Sequence, residues 1–93
     1  MKRREILMTK EHEGKFRVRT PYDPRFSEVL RLVLPDDARD KNAGLGYDST
    51  ARCWVFPAEH QYVVEEILDQ IFFGADFHLV DSFPDPLDVE VAI

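Results

Sequence analysis

The segment from residue 23 to residue 35 constrains the fold more than any other part of the chain, because it carries the start, the periodicity and the end of one helix. Asp23 offers a side-chain acceptor to the first turn, and Pro24 suits the first helical position, where an N–H has no helical partner. Apolar residues then recur at helical spacing, at Phe26, Val29, Leu30, Val33 and Leu34. The pattern predicts an amphipathic helix that buries one face and ends at Pro35.

A second amphipathic helix is predicted between Pro57 and Gly74. Its apolar stripe consists of Val63, Val64, Ile67, Leu68, Ile71 and Phe72. Three carboxylates, Glu65, Glu66 and Asp69, fall on the opposite face, where we expect them to meet solvent. Gly74 suits the left-handed position that closes a helix.

Short segments with alternating apolar and polar residues predict strands at both ends of the first helix. Residues 5–9 and 15–20 form the first pair, and in the second of these Arg17 and Arg19 share the face that is not buried. A hairpin is expected around Gly46-Tyr47 and residues 52–56.

The order of these elements defines a fold class. Residues 35–46 are polar and lack periodicity, so they predict a long loop, and residues 76–80 favour another strand. The alternation from 88 to 93 is compatible with an edge strand or with a frayed tail. The prediction is an α+β domain of order ββα, loop, ββα, β, with two amphipathic helices on one face of a small antiparallel sheet.

A chain of 93 residues and 10.9 kDa is expected to form a single domain over 1–93. We divide it into a basic strand or arm at 1–14, a core at 15–73 and an acidic tail at 74–93. The net charge of -6 hides a gradient, since residues 1–20 hold seven basic and three acidic groups, whereas residues 57–93 hold nine carboxylates and no Lys or Arg. A net negative charge over the whole chain argues against binding to phosphate backbones, but the uneven distribution of charge along the chain weakens that argument.

Several classes of function find no support in the sequence. A single cysteine, Cys53, allows no internal disulfide, which favours a reducing, cytoplasmic location, and no apolar run approaches the length of a membrane span. Asp76 and His78 would share a strand face that Asp81 does not, which is poor geometry for a metal. No nucleophile elbow or phosphate-binding glycine motif is present. We therefore expect neither an enzyme nor a cofactor.

Two motifs resemble the HARP domain, an accessory domain of annealing helicases that also has relatives among bacterial and phage proteins. They are Phe16 to Pro24 (FRVRTPYDP) and Tyr47 to Phe56 (YDSTARCWVF), each followed by an amphipathic helix, and the resemblance spans roughly residues 15–73. It implies structural roles for the aromatic residues Phe16, Tyr22, Tyr47 and Trp54. It also implies a non-catalytic module that binds forked or single-stranded DNA.

The candidate DNA-binding residues are four arginines. Arg17 and Arg19 share a strand face, and Arg25 and Arg52 would join them if the sheet brings these segments together, so that the patch contacts phosphates. The alternative is that the alternating arginines only solubilise an exposed sheet face. Similarly, Trp54 and Tyr22 are placed either to stack on unpaired bases or to fill the core.

A different function is indicated by the acidic half of the chain. Glu65, Glu66 and Asp69 on the second helix, together with the acidic tail, would suit a small regulator or inhibitor that binds a basic protein partner, for example by mimicking the charge of DNA. The alternative is a surface whose charge serves only solubility. The two functional hypotheses depend on whether the fold separates the arginines from this acidic face.

Overall fold

A computed structural model describes residues 5–83 of the chain. Within that range it contains five strands and two α-helices: β1 (Glu5–Thr9), β2 (Lys15–Arg19), α1 (Pro24–Val33), β3 (Gly46–Asp48), β4 (Cys53–Pro57), α2 (Gln61–Ile71) and β5 (Asp76–Val80). The strands form one sheet in the order β3-β4-β2-β1-β5. The sequence-based expectations for residues 1–4 and 84–93, including the terminal alternation, lie outside the described residues.

The α+β class is confirmed, but the expectation of a purely antiparallel sheet is wrong. β1 pairs with β2, β2 with β4 and β3 with β4 in antiparallel orientation, whereas β5 runs parallel to β1. The reason is the path of the chain: α2 carries it back along the sheet, so β5 runs in the same direction as β4, and β4 is parallel to β1. Hydrophobic alternation identified the strand, but alternation contains no information about direction.

Helix α1 forms as the local signals predict. The Asp23 Oδ1 atom accepts a hydrogen bond from the Arg25 backbone N–H at 2.9 Å, and the helix ends at Val33, just before Pro35. One expectation was wrong, because Val33 is 51% exposed and does not contribute to the buried stripe.

Helix α2 begins later than predicted. A 3-10 turn at Ala58–His60 follows Pro57, and the α-helix itself starts at Gln61. Gly74 then adopts the left-handed conformation expected after the helix, with φ of +82°.

The segment predicted as a loop before β3 is partly ordered into two 3-10 turns, Asp36–Arg39 and Lys41–Ala43. Ala38 of the first turn is buried in the main core. The segment is therefore anchored to the domain, and it places its polar residues beside β3.

One hydrophobic cluster unites the sheet and both helices. In the sheet, Phe16 pairs with Phe56 and Val18 pairs with Trp54, so these side chains point to the same face. The ring of Phe26 from α1 packs edge-on against them, 5.5 Å from Trp54 and 6.4 Å from Phe56. Phe26 positions α1 next to β4, whereas α2 lines a concavity together with Met8 of β1 and with Phe77 and Leu79 of β5.

Candidate functional site

The fold does not bring the four candidate arginines into a single patch. Arg17 and Arg19 project from the face of β2 opposite to the core side chains Phe16 and Val18. Arg25 lies in the first turn of α1, and Arg52 lies in the loop between β3 and β4. The four arginines also differ in whether their side chains have partners.

Arg19 is engaged by the backbone of the β3–β4 loop. Its Nη2 donates to the Ala51 carbonyl at 2.7 Å, and its Nε donates to the Arg52 carbonyl at 3.3 Å. Its guanidinium also lies 4.6 Å from the centre of the Phe83 ring. The side chain therefore holds the loop that carries Arg52, and its donors are directed at protein rather than at solvent.

Arg25 is balanced by its neighbour Asp23. The Nη2 of Arg25 lies 2.7 Å from Asp23 Oδ2, and its Nε donates to Oδ1 at 3.1 Å. This hydrogen bonding, and then the charge of Asp23, raise the pKa of Arg25 above its ordinary value. The pair cancels its own charge beside the start of α1.

Most other basic side chains of residues 5–83 are also engaged. Lys10 pairs with Asp81 at 3.5 Å, Arg39 pairs with Asp36 at 3.0 Å, and Lys15 donates to the Ala43 carbonyl at 2.8 Å. Within the described residues, the Lys and Arg side chains that form no ion pair or side-chain hydrogen bond are Arg17, Arg31, Lys41 and Arg52.

Aromatic side chains from separate segments line a concavity beside Arg52. We call the concavity they form, of about 430 Å³, the aromatic pocket. Its lining consists of Thr20, Pro21, Tyr22, Asp23, Phe26, Ser27, Tyr47, Arg52 and Trp54. Tyr22 is 92% exposed and Tyr47 is 43% exposed, whereas Trp54 is half-buried. Tyr22 thus contributes nothing to the core.

A smaller depression of about 210 Å³ adjoins the aromatic pocket and shares Ser27, Tyr47 and Trp54 with it. Its wall includes Arg31 and Lys41. The two depressions therefore place three cations, which have no partner among residues 5–83, around one pair of aromatic rings at the β3 edge of the sheet.

The local fold fixes the positions of these cations. Asp48 Oδ1 accepts from the backbone N–H of Thr50 at 3.0 Å and of Ala51 at 3.2 Å, which caps the β3–β4 loop. Arg52 itself has a positive φ of 55°, an uncommon conformation that the bonds from Arg19 to the loop help to hold. The Asp48 carboxylate therefore has a structural role, as the acceptor of two backbone hydrogen bonds in the β3–β4 loop.

The candidate carboxylates lie at the other edge. Glu65, Glu66 and Asp69 are exposed on α2 and border a concavity of about 620 Å³ against β5, which we call the α2–β5 groove. Its apolar lining includes Tyr62, Phe77 and Leu79, which are 82%, 45% and 60% exposed. An acidic rim around exposed apolar side chains is thus a second distinct surface.

Cys53 does not have the environment of a reactive thiol. It is buried in β4, and burial raises the pKa of its thiol, as does the charge of Asp48, while Arg17 and Arg19 lower it. The thiol is protonated at neutral pH and is a poor nucleophile.

Residues 5–83 contain no group of three or more His, Cys, Asp or Glu side chains that is arranged to hold a metal ion. In the same range, neither helix has the length and apolar character needed to cross a membrane.

Sequence reasoning missed several of the residues that define these surfaces. Arg31 and Lys41 lie in a helix and a turn whose proximity to β3 depends on the tertiary fold, so no local pattern marks them. Phe77 and Leu79 form the apolar side of an edge strand that α2 leaves half-open, which alternation alone does not reveal. Tyr62 could have been identified from the sequence, because helical spacing places this tyrosine on the acidic face of α2.

Comparison with known proteins assigns no family to the chain: no family model, curated protein or solved structure matches it.

Proposed function

We propose that this protein is a non-catalytic nucleic-acid-binding module that binds single-stranded or forked DNA through the β3 edge. One observation carries the proposal: Arg31, Lys41 and Arg52 have no partner within residues 5–83, and they surround Tyr47 and Trp54. Cationic side chains contact phosphates, and aromatic rings stack on unpaired bases. The resemblance to the HARP domain supports the same class of ligand.

One concentration of negative charge lies away from the proposed binding surface. The carboxylates of the α2–β5 groove lie at the opposite edge of the five-stranded sheet, and four strand spacings amount to about 19 Å. The Debye length at physiological ionic strength is about 8 Å, so their repulsion of a phosphate at the β3 edge is largely screened.

The proposal revises the roles of the four arginines. Arg52, at the rim of the aromatic pocket, contacts phosphate, and Arg17 adds a charge on the adjacent outer face. Arg19 acts as a positioning residue through the loop carbonyls, and Arg25 is neutralised by Asp23.

The test is a fluorescence-anisotropy titration of the full chain with labelled single-stranded, forked and duplex DNA. We expect binding at about 50 mM salt that weakens as salt rises, with a slope of log K against log salt near -2 for about three phosphate contacts on a single strand. Absence of binding to all three DNAs under these conditions would overturn the proposal.

Charge reversal locates the surface. The triple variant Arg31→Glu, Lys41→Glu and Arg52→Glu should lose all measurable binding. The matched control is Lys10→Glu, an exposed cation that pairs with Asp81 near the β5 edge and should retain the wild-type affinity apart from a small non-specific loss. Equal losses in the two variants would show that the β3 edge is not the binding surface.

A second candidate function rests on the α2–β5 groove. We propose, as the alternative, a regulator that binds a basic partner protein there, because exposed Tyr62, Phe77 and Leu79 adjoin three carboxylates. Calorimetry with a basic amphipathic helical peptide should detect binding that the triple variant Glu65→Lys, Glu66→Lys and Asp69→Lys abolishes. The control is Glu28→Lys on α1, an exposed carboxylate that does not line this groove. Peptide binding that survives the triple substitution would eliminate this candidate.

A further inference from the structure

We propose that the aromatic pocket binds one unpaired nucleobase by stacking, an inference that rests on the proposed function and specifies which part of the DNA is recognised. Four segments supply the aromatic lining of the pocket: the residues before α1 supply Tyr22, α1 supplies Phe26, β3 supplies Tyr47 and β4 supplies Trp54. Its volume of about 430 Å³ falls within the range of roughly 300–1,000 Å³ typical of small-molecule sites.

The floor of the pocket packs against other aromatic rings of the core. Trp54 lies nearly parallel to Phe56, with an interplanar angle of 4° and ring centres 6.1 Å apart, and Phe26 packs edge-on against it at 5.5 Å. Tyr47 then meets Trp54 at 5.3 Å with its ring tilted by 66°. A base that enters the pocket finds aromatic surfaces already in place, so little ordering is required on binding.

Tyr22, which forms the outer wall of the pocket, is not part of the hydrophobic core. At 92% exposure, Tyr22 gains almost nothing from burial in the described structure, although it directly precedes the cap of α1. Exposed aromatic rings around a concave surface mark ligand sites, and the tyrosine ring presents a π-face on which any base stacks.

The polar groups of the lining are mostly engaged within the protein. The Thr20 hydroxyl donates to the Pro21 carbonyl, the Ser27 hydroxyl donates to the Pro24 carbonyl, and Asp23 binds Arg25. The pocket therefore favours a flat aromatic ligand held by its faces over one read by hydrogen bonds at its edges. We expect weak discrimination among the bases and strong discrimination against duplex DNA, whose bases are stacked on each other.

Arg52 connects the pocket to the DNA backbone. Its side chain lies at the rim, its own loop is held by Arg19, and within residues 5–83 it has no carboxylate partner. A nucleotide whose base occupies the pocket would carry its phosphate toward this guanidinium.

The experiment compares two short single-stranded probes of about nine nucleotides, one of thymidylate and one with the same backbone but without bases. We expect the abasic probe to bind roughly 5- to 150-fold more weakly, the range for the loss of one stacked base. Trp54 is the single tryptophan of the chain, so quenching of its fluorescence by the thymidylate probe, but not by the abasic probe, reports occupancy of the pocket.

Substitutions assign the effect to individual rings. Tyr22→Ala and Tyr47→Ala should each reduce affinity for thymidylate while leaving affinity for the abasic probe unchanged, and Tyr22→Phe and Tyr47→Phe should restore it. Tyr62→Ala is the matched control, because Tyr62 is similarly exposed, at 82%, but lies in the α2–β5 groove. Circular dichroism and the unfolding midpoint confirm that each variant is folded.

The outcomes separate the two proposals. Equal affinity for the thymidylate and abasic probes would overturn the base pocket and leave the proposed DNA binding intact. Failure of every DNA to bind would overturn both.

Discussion

The two edges of the sheet differ in which of their charges are paired. At the β3 edge Asp48 caps a loop and Asp23 holds Arg25, and Arg52 is left without a partner within residues 5–83. Toward the β5 edge the cation is engaged instead, since Lys10 pairs with Asp81, and α2 contributes carboxylates with no base of its own. The charge that each edge presents thus depends on local pairing as well as on the composition of the segment.

The largest expected effect tests whether the two edges belong to one cooperative unit. Phe26→Ala removes a ring that contacts Trp54, Phe56 and Phe72, and should lower the free energy of unfolding by about 3–5 kcal/mol. Urea unfolding followed by Trp54 fluorescence and by hydrogen exchange of the β5 amides should show both edges losing stability together. Phe73→Ala, at an 89% exposed position, serves as the control and should change little. Retained β5 protection in Phe26→Ala would mean that the edges unfold separately.

An intermediate effect should be confined to the β3 edge. Arg19→Gln removes the bonds to the Ala51 and Arg52 carbonyls and should cost about 1–3 kcal/mol. Hydrogen exchange should accelerate in the β3–β4 loop and not in β5. Arg17→Gln changes the same charge on the same strand face without those bonds, so equal effects in the two variants would remove the positioning role of Arg19.

A smaller effect depends on pH. Because burial raises the pKa of Cys53 in the folded chain, the unfolded chain loses its thiol proton first. The contribution of the thiol to stability is therefore complete below the unfolded pKa of about 8.5 and is lost as pH rises through the folded value. Urea midpoints measured across this window should fall more steeply for the wild type than for Cys53→Ala. Parallel curves would contradict the buried, protonated thiol.

The smallest expected effect comes from a substitution at the β5 edge. Leu79 is 60% exposed, so Leu79→Thr should change the unfolding free energy by no more than about 0.5 kcal/mol and leave DNA affinity unchanged. Thermal melting and the anisotropy titration measure both quantities. A loss of DNA affinity in this variant would extend the binding surface to the β5 edge and end the division between the two.

The features predicted correctly from the sequence are those fixed by neighbouring residues. The start of α1 depends on Asp23 and Pro24, and its end depends on Pro35, all within a few residues of the helix. The β3–β4 hairpin likewise forms between adjacent segments. Such signals act between residues that are close in the sequence, so they can be read without knowing the tertiary fold.

The incorrect or missing predictions concern contacts between distant segments. The direction of β5 depends on the path that α2 takes across the sheet, and the engagement of Arg19 depends on carbonyls more than thirty residues away. The same applies to Arg31, which reaches the Tyr47–Trp54 pair only because α1 crosses next to β3. A pattern of residue types specifies which face is polar, but it does not specify which polar groups already have partners.

The parallel pairing of β1 with β5 has a consequence for how the chain folds. Glu5–Thr9 pairs with Asp76–Val80, so the chain between the two strands of this ladder contains both helices and the other three strands. Contacts at such sequence separation are slow to form because loop-closure entropy opposes them. Until then one edge of β1, with Ile6 and Met8 on its apolar face, is an open template for another strand. During synthesis this edge of β1 therefore lacks its native partner until β5 has been made, and it can pair with another chain in that interval.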